Sequence, residues 1–154
     1  MNLKKYINQS KSNGKKIWLH KLPKNKTLFD VIDNLRKQYN NLRYTFVINQ
    51  NIRITGITID REIDFSNCIF KKDVDFSGCT FNKKISFSYI KNNQEKIIAN
   101  ASIFEKGVNF SKVIFKESVN FSGTKFSTKI EIDDNVKKIL QYLFEDNLKV
   151  VIND

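Results

Sequence analysis

The sequence predicts a mainly β fold in which short strands stack into a solenoid, with short α-helical caps at both ends, and three observations lead there. First, Phe recurs at 65, 70, 76, 81 and 87 and again at 104, 110, 115, 121 and 126, at spacings that alternate between five and six residues. Second, the rings fall into 11-residue units: IDFSNCIFKKD from Ile63, VDFSGCTFNKK from Val74, VNFSKVIFKES from Val108 and VNFSGTKFSTK from Val119. Third, a small or β-branched residue stands two positions before each ring, as in Ile63 before Phe65, Cys68 before Phe70, Cys79 before Phe81, Val113 before Phe115 and Thr124 before Phe126. Residues two apart in extended chain share a face, so ring and small partner both point inward, while the Ser, Gly, Asn, Asp and Lys between them turn the chain and meet water.

Taken in order, residues 1–51 form a basic N-terminal segment and cap, 52–132 the repeat array, and 133–154 a C-terminal capping helix and tail. In the first segment, residues 15–22 alternate around Ile17, Trp18 and Leu19 as a strand packed on the cap. Thr27 opens a helix through Leu28, Val31, Ile32, Leu35 and Tyr39, and a strand from Tyr44 to Ile48 feeds the first unit. The array starts with a weaker copy, IRITGITIDRE from Ile52, in which Ile54 and Ile59 replace Phe. From Ile85 the register slips: ISFSYI opens a longer unit without a second Phe, residues 91–96 bulge as a loop, and IIANASIFEKG from Ile97 restores the phase. Ile130 and Ile132 begin one more unit. Asp133 or Asp134 then caps a helix whose Val136, Ile139, Leu140, Leu143 and Phe144 make one apolar stripe, and Val150 to Ile152 add a strand.

The stretches VDFSGCTF, VNFSKVIF and VNFSGTKF resemble the pentapeptide-repeat family in its Phe-centred variety, over roughly half of the chain. The small residue two before the ring, the Asp or Asn just before it (Asp64, Asp75, Asn109, Asn120) and the ring itself match the family pattern; the extra residue per pair of units and the loop from Lys91 depart from it. The resemblance implies a right-handed quadrilateral β-helix with 22 residues per turn, a flattened 11-residue turn being the alternative. Ile52 to the partial unit at Ile130 then amount to about three and a half turns, rising ~17 Å at the strand spacing. Such a short stack needs covered ends, because a bare terminal coil offers unpaired backbone and apolar rings to other chains.

Composition narrows the function classes. The formal net charge is +11, and it is uneven. Residues 1–51 carry eleven Lys or Arg against Asp30 and Asp33, a balance of +9; residues 52–132 carry thirteen against nine, +4; the remainder carries three against five, −2. The first residues lack the apolar core of a secretory signal and no run approaches ~20 apolar residues, so no membrane association and a cytoplasmic, bacterial-type protein are expected. Two cysteines at equivalent places in adjacent repeats form neither a disulfide framework nor a metal-ligand cluster. Cys68 and Cys79 occupy the inward slot that Val113, Thr124 and Ser102 fill elsewhere, which makes them core residues alongside Phe65, Phe70, Phe76, Phe81, Phe87, Phe104, Phe110, Phe115, Phe121 and Phe126.

The single His, His20, stands beside Trp18 with no nucleophile or orienting carboxylate at a recognisable spacing. Asp64 and Asp75 repeat at a position that Asn109 and Asn120 also fill, which marks a turn residue and not an acid. With no phosphate loop, zinc-ligand spacing or nucleophile elbow, no enzyme activity and no cofactor are expected. The one segment with functional colour is basic: Lys4, Lys5, Lys11, Lys15, Lys16, Lys21, Lys24 and Lys26, interleaved with Tyr6 and Trp18, suit nucleic acid, an acidic protein partner or anionic lipid. Three expectations result: the resemblance implies a protein-interaction scaffold with an unknown partner, or regulation of a DNA-handling enzyme such as a type II topoisomerase by mimicry of duplex DNA, and the basic arm suits nucleic-acid binding. The positive repeat region opposes the second. Homodimerisation through the C-terminal helix is a further expectation carried by the resemblance.

Overall fold

The computed structural model describes residues 7–10, 16–22, 27–38, 44–140 and 150–152. They form many short, mostly parallel strands stacked in sheets, with two short helices. Strands β1 (Ile7–Ser10) and β2 (Lys16–Leu19) run antiparallel to each other. Helix α1 (Leu28–Gln38) follows, then β3 (Thr45–Ile48), which lies parallel to β2.

From β3 onward the chain visits four sheets in a fixed cyclic order. Face 1 holds β1, β2 and β3 with Cys68–Phe70, Ile103–Phe104 and Lys125–Phe126. Face 2 holds Ile52–Arg53, Val74–Asp75, Val108–Asn109, Ile130–Ile132 and Val150–Ile152. Face 3 holds Thr58–Ile59, Thr80–Phe81 and Ile114–Phe115, and face 4 holds Ile63–Asp64, Ile85–Ser86 and Val119–Asn120. Within a face, Ile52 pairs with Val74, Thr58 with Thr80 and Ile63 with Ile85, so the chain returns after 22 residues, not 11. The stacking also reaches upstream of Ile52, because Phe46 pairs with Cys68 and Ile48 with Phe70 at the same step.

The irregular stretch differs from the sequence expectation. Steps across it are 34 residues, Val74 to Val108 and Ile85 to Val119, so the excess over 22 is twelve residues. Ile85 to Gly107 therefore supplies one unit, not two, and Ile52 to Ile130 spans three returns to face 2 instead of about three and a half turns. The surplus forms an antiparallel hairpin of Ile90–Lys91 with Ile97–Ala99. Its turn closes by Asn92 Oδ1 accepting from the N–H groups of Gln94 and Lys96. Local pairing absorbs the insertion, which a length count cannot distinguish from a degenerate repeat.

Phe rings fill the interior as four columns: Phe65, Phe87 and Phe121; Phe70, Phe104 and Phe126; Phe76 and Phe110; Phe81 and Phe115. Along three of the columns the rings are stacked, as at Phe87–Phe121 (4.8 Å, 2°) and Phe70–Phe104 (4.7 Å, 5°), while Phe76 and Phe110 are tilted by 33°. Between columns many pairs meet edge to face, as at Phe76–Phe81 (89°) and Phe104–Phe110 (81°), while others are stacked or tilted, as at Phe65–Phe76 (23°) and Phe87–Phe104 (51°). Both geometries suit the ring quadrupole, and only one ring per strand crossing in a constant register provides both at once. The rings expected in the core are buried except Phe115, which is half-buried. It belongs to the last strand of face 3, so it stacks on Phe81 below and has no following strand above it among the described residues.

The corners explain the repeated polar residues. Asp64, Asp75, Asn109 and Asn120 each accept, through Oδ1, the N–H two residues on: Ser66, Ser77, Ser111 and Ser122. These Asx turns need an acceptor that either an acid or an amide supplies. The inward small slot has its own logic: Cys79, Ser102 and Thr124 donate to the carbonyls of Ile54, Phe65 and Phe87 on the strand run beneath.

Both ends are covered in part by helix. Thr27 and Asp30 cap α1 reciprocally, Thr27 Oγ1 accepting from Asp30 N–H at 3.3 Å and Asp30 Oδ2 accepting from Thr27 N–H at 3.1 Å. Phe29 inserts its ring against Phe65, Phe76 and Phe81 at 5.9, 6.0 and 6.3 Å, closing the base of the columns. Arg36 donates to the carbonyls of Asp64 and Ser66 at the first edge of face 4, where no neighbouring strand lies among the described residues. At the other end Asp133 caps α2 (Asp134–Leu140), accepting from Val136 N–H at 3.4 Å, and Val136 is buried. The expected stripe residues Ile139, Leu140, Leu143 and Phe144 lie outside the residues whose side chains are described, as does Tyr39 of the first helix. No described helix is long and apolar enough to cross a membrane.

Candidate interaction surface

Cys68 and Cys79 are fully buried free thiols. Burial pushes the Cys68 thiol up to about 12, against the smaller opposing pull of the Arg36 guanidinium. Burial also raises Cys79, whose Sγ donates to the Ile54 carbonyl. Both are therefore protonated and shielded at neutral pH, the opposite of a reactive thiolate. His20 is exposed, stacks on Trp18 (6.0 Å, 16°) and lies 3.1 Å from Asn49 Nδ2 through its Nδ1. Among the described residues, no three His, Cys, Asp or Glu side chains gather as a metal-binding group.

Of the basic arm, Lys16 sits on β2 with its side chain partly buried, and Lys21 is exposed just beyond that strand. Lys4, Lys5, Lys11, Lys15, Lys24 and Lys26, with Tyr6, lie outside the described residues. Many surface lysines of the array sit at corners, Lys72, Lys106 and Lys129 between faces 1 and 2, and Lys83, Lys84 and Lys116 between faces 3 and 4, whereas Lys125 lies on a strand of face 1.

The four faces differ in what they present. Pairing aligns the outward residues into rows across the strands, and on face 2 the row reads Arg53, Asp75, Asn109, Glu131. Face 4 presents Asp64, Ser86 and Asn120, and face 3 presents Thr58, Thr80 and Ile114. Face 1 stands apart: Trp18, Val47, Ile69 and Ile103 lie side by side, and Lys125 ends the row. Lys71 Nζ lies 5.9 Å from the Trp18 ring centroid and 2.7 Å from Glu105 Oε2. The row is not legible in the sequence, because it pairs residues 29, 22 and 34 positions apart in the chain. The available signal was the aliphatic residue before Phe70 and Phe104, where the first half of each unit carries Asp, Ser or Asn.

The shallow depression on face 2 is lined by Asp73, Asp75, Gly107, Asn109, Lys129 and Glu131 and mixes both signs of charge. Compared with known proteins, the sequence matches no protein-family model, and neither a curated protein nor a solved structure is significantly similar to it.

Proposed function

We propose that this chain is a right-handed, four-sided β-solenoid of the pentapeptide-repeat kind that serves as a non-catalytic, cytoplasmic protein-interaction scaffold. The observation that carries the reading is the division of labour within each repeat. The inward positions hold continuous ring columns, the residues before the rings hold corner hydrogen bonds, and what remains free for function is the outward row of each face. Flat faces on a rigid frame suit recognition of another macromolecule, and none of the titratable groups considered above is arranged for proton or group transfer.

Mimicry of duplex DNA is the weaker reading. It needs a continuous acidic stripe, whereas Asp75 and Glu131 on face 2 are separated by Asn109 and joined by Arg53, and lysines occupy the corners on both sides of the array. Nucleic-acid binding through residues 1–26 is favoured by the +9 balance of residues 1–51. It predicts affinity for random duplex DNA that collapses with rising salt and vanishes when residues 1–26 are deleted.

Affinity capture from lysate at moderate salt, with and without nuclease, separates these readings. Protein partners retained after nuclease are the expected result. Recovery of nucleic acid, with every partner lost after nuclease, would move the function to the basic segment.

A further inference from the structure

We infer that face 1 is the docking face, and that its occupant is an acidic amphipathic helix of a partner protein, laid across the strands along the row Trp18, Val47, Ile69 and Ile103. The inference rests on the scaffold reading and adds the face and the chemistry of the partner.

The row is anomalous for its place. Outward positions on faces 2 and 4 are charged or polar in every described strand of the repeat, as water contact demands, whereas face 1 sets one indole and three branched aliphatic side chains in adjacent strands. Trp18, Ile69 and Ile103 keep partial exposure, while Val47 is buried between its neighbours. The inward packing does not require these side chains, because Ile17, Leu19, Phe46, Ile48, Phe70 and Phe104 fill the interior from the same strands. A contiguous apolar row rimmed by polar groups is the mark of a contact surface.

Spacing selects a helix. Adjacent strands stand ~4.8 Å apart, so Trp18 to Ile103 spans three steps, ~14 Å. Residues at i, i+4, i+7 and i+11 of a helix rise in steps of ~4.5–6 Å, close to that ladder. Same-face residues of an extended peptide are ~6.7 Å apart and fall out of phase, and a peptide lying across the strands has no strand edge to pair with.

Charge selects the sign. Face 1 carries Lys16 on one flank of the row and Lys125 at its end; on the other flank Lys71 pairs with Glu105, the one carboxylate among the described residues of the face, so the balance of the face is positive. Beyond Gly123 on the Lys16 flank, Tyr89 packs against the turn into this face, and Lys91, whose Nζ lies 5.3 Å over its ring, is paired with Glu95 at 3.5 Å and adds no net charge. A second copy of this chain, at +11, would set lysines against lysines, whereas flanking carboxylates on a helix would meet them in register.

Trp18 is the only Trp in the chain, so its emission reports on the site. The full chain is titrated with two synthetic helical peptides of about 18 residues, ~27 Å long, each with Leu at i, i+4, i+7 and i+11 and flanked either by Glu or by Lys. The Glu peptide is expected to shift Trp18 emission saturably, to bind about tenfold or more tightly than the Lys peptide, and to weaken with salt. Ile69→Asp with Ile103→Asp should abolish the shift. Lys71→Glu with Lys125→Glu, at surface sites that leave the apolar row intact, should reverse the preference between peptides. Equal binding of the two peptides, no binding of the Glu peptide, or an unreversed preference in the charge variant would overturn the assignment. The two readings fail separately: if the Asp variant still captures the nuclease-resistant partners of the wild type, face 1 is wrong and the scaffold stands. If the wild type captures none, the scaffold reading falls with it.

Discussion

Phe87→Ala is expected to destabilise the protein by about 4 kcal/mol, and Phe115→Ala by about half of that or less. The difference follows from position in the ring columns and not from residue type. Phe87 is fully buried, with Phe65 at 5.2 Å and Phe121 at 4.8 Å in its own column and Phe104 and Phe110 at 5.8 and 5.9 Å beside it. Removing a fully buried Phe costs about 3–5 kcal/mol, and the upper part of that range applies where the cavity cannot collapse. Here it cannot, because backbone pairing on both sides holds the neighbouring strands at their spacing, as in Phe65 N–H to Ser86 O and Phe87 N–H to Asn120 O, both 2.8 Å. Among the described residues Phe115 has a stacked partner on one side only, Phe81 at 5.5 Å, and it is only partly buried, so less area leaves the interior. Urea unfolding followed by far-ultraviolet circular dichroism, analysed with a common m value, measures both. Equal losses for the two variants, or a loss under about 2 kcal/mol for Phe87→Ala, would refute the claim that paired columns carry the stability.

Two further predictions probe the corners and the N-terminal cap. Gly56 and Gly123 both have positive φ, +66° and +76°, but a Cβ on Gly56 meets nothing within 4 Å while one on Gly123 falls 2.8 Å from Tyr89 Cδ1. Gly56→Ala should cost only the left-handed backbone penalty of about 1–2 kcal/mol, and Gly123→Ala visibly more, with the excess removed when Tyr89→Ala is added; a double-mutant cycle of thermal or urea stabilities measures it. Asp30 is held below the usual carboxylate range, chiefly by the Thr27 N–H, with Arg61 assisting. The unfolded chain therefore binds this proton at higher pH than the folded one, so the contribution is complete above about pH 4 and is lost as pH falls through the depressed native value. Asp30→Asn should flatten that part of the acid unfolding curve, and an unchanged curve would show that the cap is not the acid-sensitive element.

The sequence by itself determined the features that depend on short-range pattern. The five-and-six spacing of Phe, the small residue two before each ring and the alternation of Asp and Asn at one corner position specify which side chains point inward and which residues turn, because strand geometry enforces a period of two over a few residues. The capped helix from Thr27 and the strands around Trp18 and Phe46 were legible for the same local reason. Tertiary structure decided everything that depends on which strand lies beside which. It set the return at 22 residues, turned the irregular stretch after Ile85 into one unit plus a hairpin, and left Phe115 half-buried at the last strand of its face. It also placed Trp18, Val47, Ile69 and Ile103 in one row. Such adjacency arises from backbone pairing between segments more than 20 residues apart in the chain, and local pattern carries no information about it until the register of the stack is known.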